Sequence, residues 1–399
     1  MKVRPPVNGN FIEVLGVFTK LGLTSFGGPT AHLGFYREEI VERRGWVDER
    51  AFADLVGLCQ SLPGPASSQV GFALGIARAG IPGGFVAWLG FTLPSAILLV
   101  FFALGLPALQ AALGTQWLHG LKVAAVAVVA RAVWGMAGTL CPDRPRVTIA
   151  LLAAIALLGI QGAAVQIFVI LGGALLGRLL LKVDDRPPSA AMGIAIPRAA
   201  ALSCLAAFFI LLAGLPLLAQ VFPSPALARF DSFYRAGSLV FGGGHVVLPL
   251  LQAEVVPPGW VTNESFLAGY GAAQAMPGPL FAFSAYLGAV MSSAPRGLAG
   301  AAICLVGVFL PSWLLVIGAL PFWDSFRARP GVQSALRGLN AAVVGLLLAA
   351  LYQPVWTSAV LKPRDFALGL AAFGLLSIWK FPPWLVVLLA AVAAQLLGG

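Results

Sequence analysis

Charge is scarce in this 399-residue chain: Asp, Glu, Lys and Arg make up 10% of it, against about a quarter in soluble domains. With 59% hydrophobic residues and a mean hydropathy of +0.91, that shortage excludes a soluble globular domain. Cysteine is scarce too. The four, Cys59, Cys141, Cys204 and Cys304, show no CxxC or Cys/His spacing, so neither a disulfide framework nor a zinc site is expected, and no other metal or cofactor is indicated. Histidine occurs three times, without an HExxH, a GxSxG or a DDxxD-like cluster, and an intramembrane enzyme would lack its nucleophile, base or metal ligands. No GxxxxGKS loop is present, which argues against ATP coupling inside the chain. The opening residues MKVRPPVNGNF have neither an uninterrupted apolar core nor a small-residue cleavage site, and read as retained in the mature protein.

What the chain does have is a duplication. FTKLGLTSFGGPTAHLGFYREEI from Phe18 returns 215 residues later as FYRAGSLVFGGGHVVLPLLQAEV from Phe233. Gly45-Trp46-Val47 answers Gly259-Trp260-Val261, and QSLPGP (Gln60 to Pro65) answers QAMPGP (Gln274 to Pro279). GFTLPS from Gly90 answers GVFLPS from Gly307, and Leu118 to Trp134 answers Leu336 to Tyr352. The reading is an all-α polytopic membrane protein of two homologous repeats: 11-183, a linker with an extra hydrophobic segment over 184-229, and 230-397.

A helix needs about 20 mainly apolar residues to cross a bilayer. Candidate segments fall near 11-26, 53-78, 82-106, 119-139, 147-160 and 163-181, then 198-221, then 231-249, 264-290, 297-320, 335-353, 365-378 and 382-397. One extra crossing between two like units inverts the second. Charge agrees: Arg37, Arg43, Arg44 and Arg50 crowd the loop after Gly28, whereas 246-266 carries Glu254 and Glu264 and no Lys or Arg. Arg229, Arg235, Lys362 and Arg364 run against this bias. Most of the +10 net charge lies in short loops, so lipid rather than nucleic acid is the expected partner. GxxxG-type spacings leave the oligomeric state, a homodimer included, open.

Proline lacks an N–H and clashes with the preceding turn, so Pro63-Gly64-Pro65 and Pro277-Gly278-Pro279 should break their helices. Gly27-Gly28-Pro29 and Gly242-Gly243-Gly244 should do the same one segment earlier. Broken backbone at membrane depth is tolerated only inside protein or against a water-filled cavity, and matched breaks in two repeats mark a transporter's binding site. Re-entrant hairpins and broken spanning helices both fit. Each restarted helix offers N–H groups and a positive dipole end to an anion. Ser25, Ser67, Gln60 and Gln274 would add side-chain donors, and Lys122 and Arg131, whose second-copy counterparts are Asn340 and Ala349, would add cationic help. Glu39 and Glu254, which match across the repeats, are candidates for proton coupling, and so are His32 and His245 beside the glycine breaks, which do not match in register.

SFGGP with LPGP in one half and FGGG with MPGP in the other, with the Gly-Trp pairs between them, resembles the chromate ion transporter family over roughly residues 11 to 397. The resemblance implies an inner-membrane protein that exports chromate and confers resistance to it, with the motifs falling on Phe26 to Pro29, Gln60, Leu62 to Pro65, Phe241 to Gly244, Gln274 and Pro277 to Pro279. Gly244 stands where the first copy has Pro29. Sulfate or another tetrahedral oxyanion is the alternative cargo, and a proton the candidate coupling ion.

Overall fold

The computed structural model describes residues 10–397 except 27, 161–162, 182–195, 242–243 and 324–328. The first repeat contains α1 (Phe11–Thr24), α2 (Pro29–Tyr36), α3 (Glu49–Ser61), α4 (Ala66–Leu113), α5 (Gln116–Leu140), α6 (Arg144–Gly159) and α7 (Ala163–Leu180). α8 (Arg198–Val221) links it to the second repeat: α9 (Pro225–Leu239), α10 (Val247–Val255), α11 (Asn263–Gln274), α12 (Phe283–Val290), α13 (Gly297–Ala319), α14 (Pro330–Ala350), α15 (Pro363–Ser377) and α16 (Pro383–Leu397). Among the described residues there is no strand. Five helical stretches, at 66–113, 116–140, 198–221, 297–322 and 330–359, are long and apolar enough to cross a membrane.

Capping residues start several of these helices by taking an otherwise unpaired N–H. Asp48 accepts from Ala51 N–H at the head of α3, and Thr262, at the matching place in the second repeat, accepts from Ser265 N–H at the head of α11. Asp143 accepts from Arg146 N–H at α6, and the Arg146 guanidinium holds its carboxyl below the usual carboxylate range.

α4 is two arms. Non-helical backbone at Ala79 and Gly80 reverses the chain, and 66–78 lies back along 81–113: Gly75 approaches Gly83 so closely that a Cβ would sit 2.5 Å from the Gly83 carbonyl. Gly288 faces Gly300 in the same way, which makes α12 and α13 the second repeat's version of this pair. Residues 53-78 and 82-106 are therefore separate segments, as the sequence pattern expects.

The broken segments are re-entrant hairpins, the question the sequence leaves open. Glu13, near the start of α1, pairs with Arg44, beyond the returning arm, at 3.4 Å and with Arg78, at the end of the second hairpin, at 2.8 Å. The guanidinium of Arg78 also lies over Trp46, just before α3. All four hairpin ends of the first repeat thus meet at one base. In the second repeat buried Arg229 does the same work: it donates to the Ser293 and Pro295 carbonyls and lies over Trp260.

The repeats are inverted. Trp88 meets Phe309 and Phe85 meets Trp313 edge to face, so the long arm of α4 and its counterpart α13 run antiparallel. They are also interwoven: α14 packs on α6 and α7 of the first repeat, and α5 on α15 and α16 of the second. Gly338 meets Gly173 and Gly177 backbone to backbone at the first of these seams, the close approach that small residues permit in membrane bundles.

Candidate functional site

The four hairpin tips meet across the repeats. Gly64 N–H, in the first-copy PGP, donates to the Val240 carbonyl at the second-copy glycine break (2.6 Å). Gly278 N–H, in the second-copy PGP, donates to the Ser25 carbonyl at the first-copy glycine break (2.9 Å). His245, from the second-copy glycine break, closes the set: its Nε2 lies 3.9 Å from where a Cβ on Gly28 would stand. Gly28, Gly64 and Gly278 all hold positive φ, a conformation that favours glycine.

Each PGP glycine also faces a serine of the other repeat. A Cβ on Gly64 would fall 2.3 Å from Ser312 Oγ, and one on Gly278 would fall 2.8 Å from Ser95 Oγ. Ser95 and Ser312 end the matched GFTLPS and GVFLPS motifs, so the duplication itself was the signal that singles them out. Beyond each PGP a new helix begins, and Pro65 and Pro279 occupy its N-cap.

The polar residues expected from the sequence fall into three groups. Ser25 Oγ and Gln274 Nε2 are buried with no hydrogen-bond partner, and Ser67 shares a hydrogen bond with His32 Nδ1 (3.2 Å). Arg131 is exposed on α5, and its charge bears on His245, whose Nδ1 bonds the Tyr270 hydroxyl at 2.8 Å; Tyr270 is a tip residue that the sequence reading missed. Gln60 is exposed on α3. Lys122 lies 3.6 Å from Glu264 at the base of α11, about 15 Å along that helix from the tips. Gly27, Gly242 and Gly243 lie outside the described residues, and Pro29, Pro63, Pro277 and Gly244 stand at the breaks.

Glu39 and Glu254 have the same role in the two repeats. Glu39 pairs with Lys20 (3.1 Å) and Arg44 (2.9 Å), and Glu254 with Arg235 (2.8 Å); Lys20 and Arg235 are themselves repeat equivalents. Each pair ties the outgoing arm of a glycine hairpin to the returning arm. Glu39 lies on the π-helical turn Arg37–Arg43. Burial alone would raise its carboxyl, but the bonds from Arg44 and Lys20 outweigh burial and hold it below the usual range. A separate cavity of about 400 Å³ opens between α6, α10 and α14, lined by Gln166, Gln252, Asn263 and Gln353.

Inverted repeats, re-entrant hairpins from both sides and a shared cluster of glycine tips define a membrane transporter. The family model for chromate transporters matches residues 12–178 and 227–395, and the chain belongs to that family. It is 31% identical to a chromate transport protein of Pseudomonas aeruginosa over 99% of this chain and 93% of the relative. It is 29% identical to a probable chromate transport protein of Synechococcus elongatus over 94% and 93%, and 25% identical to a chromate transport protein of Cupriavidus metallidurans over 85% and 81%. No solved structure matches the chain significantly.

Proposed function

We propose that this protein is a secondary transporter that exports chromate across the inner membrane and so confers chromate resistance. The observation that carries the reading is the crossed bonding of tips, Gly64 to Val240 and Gly278 to Ser25, in a chain whose full-length relatives are named for chromate transport. Hairpins entering from opposite faces form a thin barrier where they meet. Parting the tips on one side while they stay joined on the other gives alternating access. Arg131 is the cation beside this barrier, and the restarted helices supply donors to an anion.

A dianion leaving a cell that is negative inside is driven outward by about 2.3 kcal/mol per charge per 100 mV. Proton coupling through His245 or the carboxylates adds to that drive without being required for it. Sulfate shares chromate's tetrahedral shape and charge, so it is the competing cargo.

The test is uptake of radiolabelled chromate into inverted membrane vesicles, with sulfate as competitor and a proton ionophore in a separate arm. Saturable uptake, lost in Arg131→Ala, is the expected result. Folded protein that takes up no chromate at any concentration would rule the reading out.

A further inference from the structure

We propose that the oxyanion is bound by a cage of neutral donors directly beneath the first-copy PGP tip, formed by Ser68, Trp88, Ser312 and Trp313; this rests on the transport reading above. A narrow cleft lies between the two arms of α4 and α13, lined by these residues with Gln69, Phe72 and Phe309. Ser68 Oγ, Ser312 Oγ, Trp88 Nε1 and Trp313 Nε1 are all buried there without a hydrogen-bond partner. Their residues are 4%, 2%, 8% and 8% exposed. Unpaired buried donors are costly, and clustered ones are rare in a folded chain. Four such donors on residues lining one cleft beside the start of a helix form a site for an anion.

The neighbouring contacts tell which class of anion. Indole N–H and hydroxyl groups donate but carry no charge, so they suit several partly charged oxygens spread over a compact centre. Gln69 Nε2 is committed to the Pro63 carbonyl (2.7 Å), and its Oε1 is buried without a partner. No hydroxyl pairs with that oxygen, so all four donors remain, one for each oxygen of a tetrahedral oxyanion. The N–H groups that open α4 lie at the same end.

Only one of the two pseudo-equivalent places is built this way. Where the first repeat supplies Ser68, Gln69 and Trp88, the second has Ala282, Phe283 and Leu305; where the second supplies Trp313, the first has Ala96. Its serine, Ser95, donates to the Thr92 carbonyl. One cage per chain follows.

The cleft is too tight to hold a water molecule as it stands. Gly64, whose Cα faces Ser312 Oγ, and Gln69, bonded to Pro63, make the PGP tip its lid. Lifting the tip opens the cage, and a bound oxyanion satisfies the donors that the closed state leaves unpaired.

Initial uptake rates in inverted vesicles, measured for the full chain against chromate concentration, test the cage. Ser312→Ala nearly keeps side-chain volume, Trp313→Phe keeps an aromatic ring, and each removes one donor; each should raise KM by about tenfold or more at unchanged protein level, as loss of a hydrogen bond to a charged group does. Trp379→Phe, at an exposed site, should leave KM unchanged. The second readout needs no transport: chromate or sulfate should raise the unfolding temperature of the detergent-solubilised chain, and Trp313→Phe should abolish the shift. Wild-type uptake with both donor variants within about twofold in KM overturns the cage and leaves the transporter reading standing. A wild-type chain that neither takes up chromate nor is stabilised by chromate or sulfate overturns both.

Discussion

At the scale of single residues, glycine decides where backbone can touch, and two glycines with positive φ separate strain from contact. Gly45 (φ +59) has nothing within 4 Å of an added Cβ, whereas Gly64 (φ +125) has Ser312 Oγ at 2.3 Å and Gln69 Nε2 at 2.5 Å. Gly45→Ala should therefore cost only the left-handed strain, about 1–2 kcal/mol, and keep transport. Gly64→Ala must also push back two side chains at the tip, and transport should fall by at least about tenfold while the protein still inserts. Equal transport by the two variants would remove the tip from the mechanism. The break at Gly64 was readable in the sequence because Pro-Gly-Pro cannot continue a helix. Its contact with Ser312 was not, because nothing in either segment says which of many serines it will face.

At the scale of elements, a common device holds each glycine hairpin, but its strength differs. In the first repeat Lys20 is 55% exposed, and Glu39 keeps Arg44 and Arg43 if Lys20 is lost. In the second, Arg235 is 29% exposed and serves both Glu254 and Asp231, which are 14% and 7% exposed. Removing one partner of a buried pair leaves an uncompensated charge and costs about 3–5 kcal/mol, while an exposed pair is worth about 0–1 kcal/mol. Arg235→Ala should therefore lower the unfolding temperature of the solubilised protein well beyond Lys20→Ala. Similar drops for both would show that the hairpins are held by packing alone. The lowered Glu39 carboxyl adds stability that is present above its unfolded pKa and lost as acid protonates it in the folded state, so the first-copy clamp stays charged at neutral pH. Matched Glu39 and Glu254 were visible from the duplication, and so were Lys20 and Arg235. That they pair follows only once the hairpin closes, since 19 residues separate each acid from its base.

At the scale of the whole molecule, the repeat unit in the sequence is not the packing unit in space. Periodicity and matched motifs define two halves and their inversion, but they do not say whether a helix rests on its own half or on the other, because the two halves present similar surfaces. The structure chooses exchange: α6 and α7 rest on α14, and α15 and α16 rest on α5, while the tips bond across the repeats at Gly64 and Gly278. Each half alone exposes the seam that the other should cover, including Gly173 and Gly177 on one side and Gly338 on the other. Residues 1–221 and 222–399 expressed separately should therefore each be degraded or inactive. Expressed together they should assemble and restore chromate uptake, since α8 remains with the first half and the second half keeps its own hairpins. Loss of one tip bond through Gly278→Val in the second fragment should then abolish the restored uptake. A first half that transports by itself would mean that one set of tips suffices, and the crossed bonds would be packing rather than gate.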